Sequence, residues 1–104
     1  LPTVDDIIYQ NKCKLLDKKA RAAGFLILIS GEVYERQYSR TSHVFVIKEN
    51  GKWNAWRETW QPWFPERKTS VTHNTIAEQV SFDQALLKAR RYVEFVTKDH
   101  RKTK

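Results

Sequence analysis

The spacing of apolar positions changes along the chain, and each change marks an element. Tyr9, Cys13, Leu16, Ala20 and Ala23 recur at i, i+4 and i+7, which is one face of an α-helix. Ile8 and Leu15 form a second stripe beside it, with Lys12 and Lys19 between the two. Lysines so placed lay their stems on apolar surface and keep their charges in water. Thr3 is positioned to cap this helix, and Asp5 and Asp6 suit the positive end of its dipole. Gly24 stands where the helix is expected to stop.

Phe25 to Ile29 is a short β-rich apolar run, which predicts a central strand covered on at least one face. Gly31 reads as a bulge or bend, after which Glu32 to Tyr38 continues in a more polar, edge-like way. Ser39-Arg40-Thr41-Ser42 supplies a turn. His43 to Glu49 then runs into Asn50-Gly51, and Lys52 to Arg57 leaves it. Asn-Gly accepts the positive backbone angles of a two-residue hairpin turn. Such a turn fixes the register, setting Glu49 against Lys52, Val46 against Ala55 and Phe45 against Trp56. A cross-strand charge or aromatic pair of this kind favours the sheet by about 0.2–1 kcal/mol.

Trp60 to Lys68 is a proline-broken, aromatic-rich loop, and Thr69 to Ile76 is β-prone enough for a fourth strand. Ser81 with Gln84 reads as a capping box. Phe82, Ala85, Leu86, Ala89, Tyr92, Val93 and Val96 give the helix behind it one apolar face. The predicted class is α+β: an antiparallel meander of three or four strands between an N-terminal and a C-terminal helix, α-β-β-β-(β)-α, with the helices on one face. Residues 1–97 are expected to form one domain, and residues 98–104 a charged, frayed tail.

Composition alters the picture through charge. The 104 residues hold 19 Lys and Arg against 12 Asp and Glu, a net charge of +7, and the pI is near 9.7. A surplus of this size attracts polyanions. Cys13 is the single cysteine, so no internal disulfide forms, and a cytoplasmic or other reducing compartment is expected. No apolar run approaches the ~20 residues of a membrane span.

The residues that follow from this are those of a nucleic-acid-binding surface. Lys14, Lys18 and Arg21 form a basic stripe on the first helix, and Lys88, Arg91 and Lys98 form one on the last, with Phe95 among them and Arg101 beyond. Such faces can follow a phosphate backbone. Trp63 and Phe64 lie between two prolines in the aromatic loop, close to Arg57, Arg67 and Lys68. Aromatic side chains beside basic ones stack on unpaired bases, at about 1–3 kcal/mol per base. On the strand after the hairpin, Trp56 and Trp60 share one face and Trp53 takes the other.

The alternative expectation is an accessory or inhibitory subunit that docks an acidic protein surface, with Trp63, Phe64 and Phe95 as apolar anchors. A minor one is a metal-independent ribonuclease, with His43 or His73 as general base and Arg40 or Arg57 steadying the phosphorane. No cofactor is expected. His43, His73 and His100 lack metal-ligand spacing, and Cys13 falls on the apolar stripe. The element order is similar to that of double-stranded-RNA-binding domains, but their KKxAK cluster is replaced here by Ser81-Phe82-Asp83-Gln84 and their GPxH-like loop is absent.

Overall fold

A computed structural model describes residues 3–59 and 72–102, with the side chains of 99–102 outside the described part. The order is α1 (Val4–Ala22), β1 (Leu26–Ile29), β2 (Val33–Gln37), β3 (Ser42–Glu49), β4 (Lys52–Thr59), β5 (Thr72–Val80) and α2 (Phe82–Lys102). The strands form one antiparallel sheet in the order β1-β2-β3-β4-β5. The class is therefore α+β with a meander sheet, built from five strands rather than three or four. No described helix is long and apolar enough to cross a membrane.

The extra strand comes from Gly31. Its φ is +72°, and with Ser30 it turns the chain so that β2 runs back along β1 instead of continuing it. A side chain at Gly31 would also collide with the Sγ of Cys13 on α1. This reverses the two expected positions. β1 is the edge strand, and β2 lies inside the sheet between β1 and β3. Leu26, Leu28 and Ile29 are 64%, 52% and 52% exposed, so the apolar run that suggested a central strand is an uncovered one. Phe25, just before it, is buried instead.

The hairpin has the expected register: Glu49 faces Lys52, Val46 faces Ala55 and Phe45 faces Trp56. Asn50 and Gly51 both take positive φ, 52° and 77°, as the tight turn demands. Residues directly opposite each other across an antiparallel pair share a face. Tyr34, Val46, Ala55 and Ala77 form one such row across four strands, and all four are buried.

Both helices cover this side. Ala20 of α1, Ala23 at its C-cap, and Phe82, Ala85, Ala89 and Val93 of α2 join Tyr34, Val44, Val46 and Trp53 in one cluster. Phe82 meets Trp53 and Tyr34 edge-on, at centroid distances of 4.8 and 5.7 Å. Midway along α2, Tyr92 meets Tyr38 edge-on at 6.2 Å.

The two helices are fastened differently. Thr3 and Asp6 form the capping box of α1, each side chain accepting the other's backbone N–H at 3.1 Å. Asp17 then ties α1 to the β1–β2 turn. It accepts hydrogen bonds from Ser30 Oγ at 2.5 Å, Tyr34 Oη at 2.6 Å and Gly31 N at 3.0 Å. Burial alone would push this carboxyl up, but those three donors and the nearby Arg21 charge outweigh it and hold Asp17 below its ordinary value. Burial first, then the Asp17 carboxylate, pushes the Tyr34 hydroxyl far above its own. At α2, Ser81 Oγ accepts from Gln84 N at 3.3 Å, and the helix runs on through Lys102.

Candidate nucleic-acid interface

With both helices on one face of the sheet, their outward sides form a single basic layer. Lys14, Lys18 and Arg21 are exposed, as are Lys88, Arg91 and Lys98. Helical spacing sets Lys18 on α1 and Arg91 and Lys98 on α2 roughly opposite the buried Cys13 and Ala20 and the buried Ala85, Ala89 and Val93, while Lys14, Arg21 and Lys88 flank those buried stripes. The ion pairs among the described residues are Lys19–Asp83 at 3.1 Å, Arg90–Glu94 at 3.6 Å and His43–Glu35 at 3.1 Å. None of the six predicted cations is among them. Phe95 lies within the α2 triad and is 65% exposed, so it contributes little to the core. Arg101 belongs to the helical backbone of α2, with its side chain outside the described part.

The other side of the sheet has a different character. No described element covers it, and two rows cross it. One runs Glu35–Phe45–Trp56–Thr75 and the next runs Gln37–His43–Glu58–His73. Trp56 is the hub: it lies tilted against Phe45 at 6.0 Å, stacks on His73 at 5.5 Å and donates from Nε1 to Glu58 Oε1 at 3.2 Å. His43 Nδ1 is 3.1 Å from Glu35 Oε1. The carboxylates Glu35, Glu49 and Glu58 share this face with Lys52. Its aromatics are suited to stacking, but its charge disfavours phosphate.

Arg57 does not join these aromatics. It pairs directly opposite Val44, which is fully buried, so it stands on the helix-covered side. Its Nε is buried with no hydrogen-bond partner among the described residues. Trp53 also faces the helices and is core, 5% exposed. Trp63, Phe64, Arg67 and Lys68 lie outside the described residues. No group of three His, Cys, Asp or Glu among the described residues is arranged to hold a metal ion. Cys13 is buried against the β1–β2 turn.

Sequence reasoning missed the Glu35–His43 pair and the stacking of Trp56 on His73. The hairpin register would have set His43 opposite Glu58, because one turn fixes every pair in β3 and β4. The register of β5 had no such signal. The ladder slips twice between Trp53 and Trp56, and Gln79 takes a φ of 54° at the irregularity. The buried side chain of Asn54 accepts from Gln79 N at 2.8 Å and donates to Glu49 Oε2 at 2.6 Å.

Comparison with known protein families, curated proteins and solved structures finds no match to this chain.

Proposed function

We propose that the protein binds nucleic acid along its helix layer, with phosphates against Lys14, Lys18 and Arg21 of α1 and Lys88, Arg91 and Lys98 of α2. The observation that supports this is that all six cations are exposed on the two helices that share one core, and none of them is in an ion pair of the described residues. A surface cation outside an ion pair keeps more of its field for an outside partner, least so at Arg21, whose charge also acts on Asp17. Contacts of this kind read the backbone rather than the bases, so the expected binding tolerates sequence. The carboxylates around Trp56 argue against base stacking on the open sheet face. The exposed Phe95 favours a second reading, in which an acidic protein docks on the same layer with Phe95 as its anchor.

The test is fluorescence anisotropy of labelled single- and double-stranded DNA and RNA at several salt concentrations. If all six cations engage duplex DNA, the slope of log affinity against log salt is about −5. Reversing two of them, Arg91→Glu with Lys98→Glu, is expected to reduce that slope by about 2 and weaken all sequences alike. No binding near physiological salt, or binding with a flat salt response, removes the nucleic-acid reading. A protein partner lost on Phe95→Ala would then favour the second.

A further inference from the structure

The first half of α1 lies off the core. Every residue from Thr3 to Lys12 is exposed, and burial along α1 begins at Cys13. Ile7 and Tyr9 are 47% and 48% exposed, and the Nζ of Lys48 sits 5.9 Å from the Tyr9 ring centroid. Short helices standing free in water are marginal, and this one shows apolar side chains to solvent. Val4, Ile8 and Leu15 are 72%, 49% and 55% exposed.

Their spacing is what suggests a partner. Val4, Ile8, Asn11 and Leu15 follow a 4-3-4 interval, the seam by which one helix packs along another. A lone polar residue in such a seam fixes register, and Asn11 is that residue. Charge sets the direction. Asp5 flanks the seam near its start and Lys12 flanks the same side one heptad later. When two copies of the seam run antiparallel, Val4 of one meets Leu15 of the other and Ile8 meets Asn11. Each Asp5 then lies beside the other copy's Lys12. Parallel alignment would instead stack the basic second halves of both helices together.

We propose that a second copy of this chain covers α1, through antiparallel pairing of residues 4–15 about a two-fold axis. The contact is small, so a reversible dimer in the micromolar range is expected. Lys14 borders the paired segment, but the pairing itself rests on Val4, Ile8 and Leu15 with Asp5 and Lys12 and needs no polyanion, so it is measured without nucleic acid.

The experiment is sedimentation velocity of the purified protein over a concentration series, with circular dichroism to confirm that each variant is folded. The substituted positions are off the core, so the fold is expected to persist. Wild type should shift from monomer to dimer, and Ile8→Glu should stay monomeric. Asp5→Lys alone and Lys12→Glu alone should each raise the dissociation constant by about tenfold, because the symmetry converts two attractive pairs to repulsive ones. Asp5→Lys with Lys12→Glu should restore wild-type association. A wild type that stays monomeric overturns the proposal, as does a double variant that remains weak. So does a dimer that ignores Ile8→Glu but dissolves on Leu28→Lys, since that result assigns the contact to the β1 edge.

Discussion

Helices α1 and α2 are close in length, 19 and 21 residues, and both carry acids in their first turn and an outward basic triad. They are attached by different means. α2 starts on Phe82, wedged against Trp53 and Tyr34, and continues through Ala85, Ala89 and Val93 into the core. α1 reaches the core only in its second half, where Asp17 hydrogen-bonds the β1–β2 turn and Cys13 packs against it. The same apolar periodicity thus serves as core in one helix and, over the first half of the other, as open surface. Periodicity shows that a face is apolar; it does not show what covers it.

Substitutions can probe this difference, beginning with the largest expected effect. Phe82→Ala removes the aromatic wedge under α2 and should cost about 3–5 kcal/mol, measured by urea unfolding. A loss below about 1 kcal/mol would mean that α2 is held elsewhere along its length. Asp17→Asn weakens the tie under α1 and should cost about 1–3 kcal/mol.

The Asp17 substitution also carries a pH signature. The folded carboxyl titrates below its ordinary 3.8, so its stabilisation is fully present above that value and fades as pH falls through the lower folded one. Wild type should therefore lose stability on acidification from about pH 4 downwards, and Asp17→Asn should lose less over the same interval. Identical acid profiles for the two proteins would contradict this role. The smallest effect belongs to the free half of α1. Val4→Ser, studied at dilute protein, should change stability by less than about 0.5 kcal/mol.

The same contrast explains what could be read from the residues alone. α2, its Ser81 cap and the Asn50-Gly51 hairpin were legible because local chemistry decides them. Capping needs a side chain three residues from its backbone partner, and the turn needs two residues tolerant of positive φ. Thr3 and Gly24 likewise bracket α1. The edge position of β1 was not legible, because Leu26 to Ile29 look alike whether a neighbour covers them or not. Gly31 was read as a bend within one strand; its close approach to Cys13, which fixes it as a turn, joins residues far apart in sequence.

The candidate site divides in the same way. Lys14, Lys18 and Arg21 could be assigned to one stripe by helical spacing, and so could Lys88, Arg91 and Lys98. That both stripes share a layer depends on tertiary packing and could not be read from either. Arg57 was grouped with the loop aromatics by proximity in sequence, while strand alternation and the Val44 pairing turn it to the covered side. The expectations for Trp63, Phe64, Arg67 and Lys68 fall outside the described residues.

Because the sheet is a meander, each strand pairs only with its neighbour in sequence, and most contacts close short loops. Low contact order of this kind favours fast folding. It also gives chain synthesis a definite sequence of events. Residues up to Thr59 already contain four of the five strands, so most of the sheet can assemble while the rest of the chain is still being made. The part of the covered side that α2 packs on, over β3 to β5, then stays bare until α2 emerges. During that interval the nascent protein is sticky on the part of its future core that α1 leaves open, and α2 acts as the cap that ends the exposure.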